Sequence, residues 1–572
     1  MSLSNRSEPL DAVPAQQHRL NWQFPRLDAS DEAERARAAL LYGGLLVLAA
    51  ALLRFIGLAD EPFWHDEVTM LNIGLNGWEA MIQQFVERGR PPVFVMIAVV
   101  WSSAFGTGEV ISRIPSVIAG IISVGVLFHF GSLLFNQRVG FVAALIITVT
   151  EFHIYYSQTY RYYAVYVMFI ILSFAFFWMM LKRGRWYDIG LYVLTTALAV
   201  YTHAHGVFAI AGQGAFLIGI ALLRRDWRSR GLLGRWFASQ ILLLAVIFPA
   251  LWIYFLRDMV APVAAAVDGG GIASAATGGD IGPNWLEAPT VGSIVRALVR
   301  FLFFEWFYFT PFGVFAALGF LAVGTGYYAV RTGGKTWGSG LLQLPRDLYA
   351  GLKNWLPEFW LVVCWFLGML MLPWVLSFVV GPMFFDRYVL GASPAYYLLL
   401  ALLLFGIRRV IPTQVLMLAF LIALLPGLIA FYTLPDNERW DRVALYLERN
   451  AGPSDAIVVL TSEVHLAQPL ESLEWYYSGH AHCDLYEDRL NDPETIAALS
   501  DCIADHERVW LVGLRWIGNY QRLAAIGLSS DLSEFFETFE DGRWMLAEAH
   551  EGGEFHLLGV YLYEERPQAE LD

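Results

Sequence analysis

Two adjacent carboxylates, Asp66 and Glu67, directly follow the first long apolar run of the chain, and Arg90 lies in the next polar stretch. Carboxylates beside hydrocarbon are unfavourable, because burial and mutual repulsion both disfavour the charged form. A carboxylate held there can act as a general base toward a hydroxyl group, and a guanidinium group such as that of Arg90 can neutralise phosphate. The structural alternative is that residues 60–67 form a solvated acidic loop that caps the apolar run.

The composition indicates a membrane protein. Of the 572 residues, 57% are hydrophobic and 15% are aromatic, and the mean hydropathy is +0.49. Apolar runs long enough to cross a bilayer as helices recur along the chain. Residues 1–36 are polar instead, and we expect a flexible cytoplasmic tail there, with no cleavable signal.

The apolar runs predict eleven membrane-spanning helices within residues 37–432. Residues 91–105 are too few for a crossing and begin at two prolines, so we expect them to lie flat, as we do an in-plane helix over 68–86. The predicted spans are residues 38–58, 111–134, 139–150, 162–181, 187–201, 207–223, 237–256, 308–330, 359–380, 388–405 and 413–432.

The charge distribution orients these spans. With residues 91–105 lying flat, the alternate connections 136–138, 182–185, 224–235, 331–353 and 408–409 are all basic and share the side of the N-terminus. Cytoplasmic loops are enriched in Lys and Arg, so this side is the cytoplasm. The sequence therefore predicts a multi-pass protein of the inner (plasma) membrane, with Asp66 and the C-terminus facing the periplasm or exterior.

Residues 433–572 are acidic, with 28 Asp and Glu against nine Arg and no Lys. This charge argues against a nucleic acid as partner, because phosphate backbones demand the opposite sign. Hydrophobic periodicity predicts a small extracytoplasmic α/β domain, with helices over 440–450, 470–477 and 494–505 and strands over 456–460, 509–512 and 555–563. Two cysteines in an exported domain usually pair, so we predict a Cys483–Cys502 disulfide.

Several polar side chains fall at the outer ends of the predicted spans. Arginines there run against the positive-inside bias, so each calls for either an anionic ligand or a nearby carboxylate partner. The histidines could contact a phosphate or join Glu67 on a metal ion, or they could simply cap a span. The candidates for substrate binding are Arg90, Arg113, Tyr160, Arg161, His203, His205 and Arg387.

The order and spacing of these motifs resemble the GT-C superfamily of glycosyltransferases. The resemblance is to its family 39-like group, which includes protein O-mannosyltransferases and bacterial lipid A aminoarabinose transferases. It covers nearly the whole chain past residue 38. The matching pieces are Asp66-Glu67, Arg90-Pro91-Pro92, residues 112–116, 156–164, 201–203 and 386–390, and residues 453–459 and 473–477 near the C-terminus.

The resemblance implies a GT-C-like catalytic part over residues 37–432 that transfers a sugar from a polyprenyl-phosphate donor to an acceptor outside the cytoplasm. The acceptor can be a lipid, a glycan or a protein. Carried over by position, Asp66 is the general base, with Glu67 as the other catalytic candidate, and Arg387 holds the phosphate of the donor. In-line attack on a glycosyl phosphate would invert the anomeric centre.

The chain departs from the family at one motif. Many relatives carry an acidic residue where this sequence has Thr159, or shortly afterwards, where it has Ala164 and Val165. A second acidic group or a metal ion in the site is therefore not supported, and the expected reaction requires no cofactor.

Two other classes of protein fit a polytopic chain. A transporter places charged groups near the bilayer midplane and usually has repeated halves, whereas the charged groups here gather at one face. A receptor would use a periplasmic binding domain as its functional part and would not need Asp66 and Arg387 aligned. Both remain alternatives at this point.

Overall fold

The structure is a computed structural model of the chain. It describes residues 31–224, 227, 230–257, 286, 288–303, 310–331, 356–406, 413–434, 437–461, 469–479, 482–486, 493–514, 544–551 and 558–565. Residues 1–30, which make up most of the predicted N-terminal tail, lie outside this range.

Residues 31–434 form a helical part. Its helices are α1 (Glu32–Phe55), α2 (His65–Leu75), α3 (Gly77–Arg88), α4 (Pro92–Phe105), α5 (Glu109–Leu134), α6 (Gln137–Val149), α7 (Glu151–Gln158), α8 (Tyr163–Arg183), α9 (Trp186–Thr202), α10 (Val207–Leu223), α11 (Arg230–Leu251), α12 (Val291–Phe303), α13 (Thr310–Arg331), α14 (Leu356–Leu376), α15 (Ser393–Gly406) and α16 (Thr413–Thr433). A helix occurs at each of the eleven predicted spans. Within the described residues, seven helices are long and apolar enough to cross a membrane, or eight with the bent pair α6–α7. The count of eleven therefore stays a prediction.

The region predicted as one in-plane helix over 68–86 consists of two helices. The chain turns at Gly77, whose φ of 78° is in the left-handed region that glycine tolerates best. This turn separates α2 from α3. Two further features frame the site: α4 begins at Pro92, a position where proline is favoured, and α1 begins at Glu32, four residues before the expected end of the tail.

A bend of 59° separates α6 from α7, so the span predicted over 139–150 ends at the bend. Arg54 at the end of α1 supports the bend. Its guanidinium group donates to the carbonyl oxygen of Ile147 at 3.1 Å and to the hydroxyl oxygen of Ser157 at 3.0 Å. The fully buried arginine thus donates to a carbonyl oxygen at the end of α6, where the helix is interrupted. Its contact with Ser157 fixes the end of α7.

Two glycines let α10 and α14 approach closely. A Cβ atom on Gly212 would lie 2.7 Å from the carbonyl oxygen of Cys364, and one on Gly368 would lie 2.8 Å from the Cα of Gly212. Only residues without a side chain fit such a backbone contact. This contact brings the turn before α10 next to the loop that follows α14, and both carry candidate site residues.

Residues 437–565, called here the C-terminal segment, contain helices α17 (Trp440–Asn450), α18 (Pro469–Tyr476) and α19 (Pro493–Ile503). Their strands are β1 (Ala456–Thr461), β2 (His482–Tyr486), β3 (Arg508–Leu514), β4 (Trp544–Glu551) and β5 (Leu558–Glu565), in the order β2-β1-β3-β5-β4. β1 pairs in parallel with β2 and β3, whereas β5 pairs antiparallel with β3 and β4. The sequence reading missed β2 and β4. Cys502 is disulfide-bonded and Cys364 is free, but the side chain of Cys483 lies outside the described residues.

The C-terminal segment lies against α2 and the loop before it. The hydroxyl group of Tyr476 accepts a hydrogen bond from the backbone N–H of Phe63 at 2.7 Å. The ring of Phe63 also meets that of Trp475, with 6.0 Å between centroids. At the other end of α2, Asn72 donates to Glu471 at 3.1 Å. The segment and Asp66 are therefore on the same side of the helical part.

Candidate active site

Asp66 and Glu67 both lie in the first turn of α2, but they face different surroundings. The N-terminus of a helix favours negative charge, which suits a carboxylate pair. Glu67 is completely buried, whereas the side chain of Asp66 is 21% exposed. Of the two carboxylates, therefore, only that of Asp66 can contact an entering molecule without a rearrangement of the protein.

Glu67 is bound on both carboxylate oxygens. Arg113 donates to Oε1 at 3.0 Å and to Oε2 at 2.8 Å, and the backbone N–H of Tyr160 donates to Oε1. The same arginine donates to the carbonyl oxygens of Leu58, Glu61 and Pro62 at 2.8–3.0 Å. These contacts use all five N–H groups that a guanidinium group has. Glu67 and Arg113 thus hold the loop over 58–62 in place, and neither faces an open site.

Tyr160 and Arg161 follow α7 and have separate roles. The ring of Tyr160 is buried and meets Phe94 edge-on, with 5.4 Å between centroids. Arg161 turns the other way, toward Asp66. Its guanidinium group binds the backbone carbonyl oxygen of Asp66 at 3.0 Å and lies 3.3 Å from the carboxylate.

Positive charges from four separate segments surround Asp66. Burial alone would raise the pKa of its carboxyl group, but Arg161, His65, Arg387 and Arg90 outweigh burial and hold the pKa below its usual value. Asp66 in turn is the first of the charges that raise the pKa of Arg161 against the effect of burial. The site therefore keeps an ionised carboxylate despite its burial.

Arg387 lies in the loop between α14 and α15, against aromatic rings. Its guanidinium carbon is 5.1 Å from the ring centroid of Phe385 and 5.7 Å from that of Tyr388. Such cation–π contacts orient a guanidinium group while leaving its edge available for other groups. The neighbouring Asp386 forms an ion pair with Arg300 of α12 and accepts the backbone N–H of Arg387 at 2.9 Å. Arg300 thus balances Asp386, and the charge of Arg387 remains for the site.

His203 and His205 form the turn between α9 and α10. The backbone N–H of His205 donates to Nδ1 of His203 at 3.1 Å, and Nε2 of His205 lies 2.9 Å from the carbonyl oxygen of Met383. Both rings pack on Tyr388, at centroid distances of 5.3 and 5.6 Å. Burial lowers the pKa of His203 well below its usual value. Both histidines support the loop that carries Arg387.

Arg90 completes the group of arginines. Gly89 ends α3 with a φ of 64°, which turns the chain toward α4, and Arg90 is partly buried behind it. Burial, Arg161 and Arg88 lower the pKa of Arg90, and Asp66 opposes them. Three guanidinium groups, those of Arg90, Arg161 and Arg387, thus share one carboxylate. This surplus of positive charge suits a phosphate.

Sequence reasoning missed His65 and Glu438. Nδ1 of His65 lies 3.4 Å from Glu438 of the C-terminal segment, and Nε2 lies 3.9 Å from Asp66. The stretch Asp60–Glu67 contained the signal for His65, because it places a titratable imidazole beside the carboxylate pair. Nothing in the sequence connects Glu438 to that stretch, which is more than 370 residues away.

A cavity of about 580 Å³ lies beside the loop over 57–61. It is lined by the ends of α7 and α16 and by the start of the C-terminal segment, and Asp66 is not in its wall. Its wall contains two carboxylates, Asp60 and Glu61, and three arginines, Arg113, Arg439 and Arg442, of which Arg113 is bound to Glu67. Within the described part of the chain, no group of three or more His, Cys, Asp or Glu side chains could hold a metal ion.

A family comparison agrees with the expected chemistry. The family described as dolichyl-phosphate-mannose-protein mannosyltransferase matches residues 89–254, which include the turn after α7 and both histidines. No curated protein sequence matches the chain.

The oligosaccharyltransferase of Archaeoglobus fulgidus in its apo form is similar in fold. The TM-score is 0.50 at 12% sequence identity, over 93% of this chain and 74% of that one. ArnT from Cupriavidus metallidurans covers 91% of this chain and 98% of its own, with a TM-score of 0.48 and 12% identity in the apo state. The structure of the same protein bound to undecaprenyl phosphate has a TM-score of 0.46 and 13% sequence identity, with the same coverage of both chains. The family match and the oligosaccharyltransferase fold confirm the resemblance to the GT-C superfamily, and the chain is a multi-pass membrane protein.

Proposed function

We propose that this chain, which has a GT-C fold, is an inverting glycosyltransferase that uses a polyprenyl-phosphate sugar donor. Asp66 is the general base, and Arg387 holds the phosphate of the donor. The observation that carries the proposal is the convergence of Asp66, Arg161, Arg387 and Arg90, which come from four separate segments and interact electrostatically. ArnT and the archaeal protein AglB, whose structures hold undecaprenyl phosphate and dolichol-phosphate, suggest the chemical class of the lipid.

The proposed reaction balances in one displacement. The acceptor hydroxyl gives its proton to Asp66 while its oxygen forms a bond to the anomeric carbon of the sugar. The bond from that carbon to the phosphate oxygen breaks, and its electron pair leaves with the polyprenyl phosphate. Attack opposite the leaving group inverts the anomeric centre, and no metal ion or other cofactor is required.

The arginines act on the leaving group. Departure of the sugar adds negative charge to the phosphate, and guanidinium groups stabilise this charge most when water is excluded. Arg387 is held by aromatic rings rather than by Asp66 alone, so it can serve the phosphate while Arg161 orients the carboxylate. Arg90 adds positive charge to the same site.

Five of the candidate residues receive other roles in this proposal. Glu67 and Arg113 bind each other and the loop, so we assign them to positioning rather than to catalysis or substrate binding. Tyr160 supports Glu67 through its backbone and buries its ring. His203 stacks beside Tyr388 with His205, so both histidines position the loop of Arg387.

The proposed orientation places the site outside the cytoplasm. The five basic connections favour a cytoplasmic location for the opposite face. The C-terminal segment contacts the loop before Asp66, so it shares the side of the site. We therefore propose a protein of the inner (plasma) membrane, with the site, the acceptor and the C-terminal segment on the periplasmic or outer side.

The test combines a deletion strain with purified protein. Mass spectrometry should find envelope glycolipids or glycoproteins that lose one sugar in the deletion strain and regain it with the wild-type chain, but not with Asp66→Asn. The purified full chain should bind undecaprenyl phosphate in native mass spectrometry, and Arg387→Ala should weaken this binding. If the strain with Asp66→Asn has the wild-type sugar pattern, the proposed function is wrong.

A further inference from the structure

His65 lies between two carboxylates that belong to different parts of the chain. Its Nδ1 is 3.4 Å from Oε1 of Glu438, and its Nε2 is 3.9 Å from Oδ1 of Asp66. The side chains of His65 and Glu438 are only 19% and 13% exposed. The imidazole thus connects the C-terminal segment to the carboxylate of the site.

A charged His65 needs a compensating group at this position. It is the first residue of α2, and the N-terminus of a helix disfavours positive charge. Burial disfavours that charge as well. Glu438 supplies the compensation, and its second carboxylate oxygen is fixed by the indole N–H of Trp440 at 2.7 Å.

The electrostatics of the pair agree with this geometry. Burial lowers the pKa of His65, but Glu438 and Asp66 outweigh burial and raise it, with Arg161 acting in the opposite sense. Burial raises the pKa of Glu438, but His65 and Trp440 outweigh it and lower it. Each member of the pair therefore favours the charged form of the other.

We propose that Glu438 is a positioning residue for the transfer reaction, which acts through His65 to hold a cation against Oδ1 of Asp66. The inference rests on the proposed function in taking Asp66 as the base. Arg161 faces Oδ2 at 3.3 Å, so each oxygen of the carboxylate has its own cation. One cation comes from the helical part, and the other depends on the C-terminal segment.

The charged groups that face His65 come from three elements. Asp66 lies on α2 itself, Arg161 lies in the turn after α7, and Glu438 precedes α17. The ring of Trp64 also packs against His65, with 4.8 Å between centroids. Loss of the carboxylate of Glu438 therefore leaves a cationic His65 beside Arg161, with Asp66 as the compensating charge among the described residues. His65 then releases its proton at a lower pH, and Asp66 loses one of its cations.

The test measures the protonation of His65 without any sugar. Diethyl pyrocarbonate modifies the neutral form of an imidazole ring, and fragment-ion mass spectrometry of the full chain in nanodiscs locates the modification. The midpoint of His65 modification against pH should move downward by about one pH unit in Glu438→Gln, because the carboxylate that stabilises the imidazolium at 3.4 Å is lost. Asp66→Asn should move it in the same direction by less, because Asp66 lies farther from the ring, at 3.9 Å.

The matched control is Glu471→Gln. Glu471 contacts Asn72 at the far end of α2, so it belongs to the same contact between the C-terminal segment and α2 but does not reach His65. The midpoint of Glu471→Gln should equal that of the wild type. Glu438→Asp keeps a carboxylate at this position, so its midpoint should lie close to that of the wild type. Equal shifts in Glu471→Gln and Glu438→Gln would show a general docking effect and overturn the proposal, as would an unshifted midpoint in Glu438→Gln.

Turnover separates this inference from the proposed function. With transfer established for the wild type, Glu438→Gln should lower kcat several-fold at neutral pH, where His65 of the variant is less protonated, with little change in KM for the donor. If the labelling midpoints move as expected but the wild type transfers no sugar, the coupling stands and the proposed function falls. If transfer depends on Asp66 while the labelling midpoints stay fixed, the proposed function stands and the coupling through Glu438 falls.

Discussion

Arg161 holds Asp66 at two points, through the backbone carbonyl oxygen at 3.0 Å and through the carboxylate at 3.3 Å. The two contacts fix both the turn of the helix and the rotation of the side chain. A carboxylate held this way needs little rearrangement to meet an acceptor hydroxyl, which is what general-base catalysis requires.

Asp66→Asn should abolish most transfer while the sugar donor still binds. The amide keeps the shape of the side chain but cannot take a proton, so turnover should fall by about 10²–10⁴-fold. Binding of undecaprenyl phosphate should be near that of the wild type. Asp60→Asn is the control, because Asp60 is an exposed carboxylate of the cavity wall. Near-normal turnover of Asp66→Asn would exclude Asp66 as the base.

Arg387→Ala should weaken donor binding and transfer together. Phosphate is present both in the bound donor and in the transition state, so removing its partner affects both states. Native mass spectrometry with undecaprenyl phosphate measures the first effect, and single-turnover transfer the second. Arg442→Ala, at a side chain that is 49% exposed, is the matched control. Unchanged binding in Arg387→Ala would assign the phosphate to another residue.

Glu67→Gln should act mainly on stability. The substitution leaves the buried guanidinium group of Arg113 without its carboxylate, and breaking a buried pair in this way costs about 3–5 kcal/mol. The midpoint of thermal unfolding should fall, whereas turnover of the remaining folded protein should fall less than in Asp66→Asn. The double variant Glu67→Met with Arg113→Met should be more stable than either single variant. A fully stable Glu67→Gln with no turnover would make Glu67 catalytic.

Arg161→Met should move the acidic limb of the pH profile to higher pH. Arg161 is the largest of the charges that hold the pKa of Asp66 below its usual value. The carboxylate is ionised above that pKa and lost as the pH falls through it, so removing the arginine raises the pH at which the base fails. The measurement is turnover against pH, with Arg442→Met as control. A limb that stays in place would show that other charges set the protonation of Asp66.

The C-terminal segment should be extracytoplasmic. A reporter that is active only in the cytoplasm, fused after Asp572, should be silent, whereas the same reporter fused at the basic connection over 182–185 should be active. The basic connections of the predicted topology give the physical reason. The opposite pattern would invert the proposed orientation and move the acceptor to the cytoplasm.

The sequence predicted the helical segments well because their signals are local. Apolar runs, the prolines before α4 and the charges between spans all lie within the elements that they define. The bend after Val149 was missed because it depends on Arg54, which comes from a distant segment. The break at Gly77, a local turn at a glycine, was overlooked. Strands β2 and β4 were also missed, although their partners β1 and β5 are the neighbouring strands in the chain.

The sequence named Arg90, Arg161 and Arg387, which the structure brings near Asp66, but it did not predict how the roles are divided among the candidates. Residue types alone did not separate Asp66 from Glu67, because the difference lies in which one meets Arg113. That arginine was grouped with the phosphate-binding residues, although all five of its N–H groups are taken by the protein. Glu438 carries no motif, and its place beside His65 follows only from how the C-terminal segment docks.

The order in which a ribosome makes the chain gives the contact between Tyr476 and Phe63 a further meaning. Asp66 leaves the ribosome early, whereas the groups that hold its loop from the other side, Tyr476 and Glu438, are made more than 370 residues later. The contacts around Asp66 are therefore complete only after nearly the whole polypeptide has been made. A chain that stalled or was cut between Arg387 and Glu438 would carry all three arginines near Asp66. It would still lack the contacts that Glu438 and Tyr476 make.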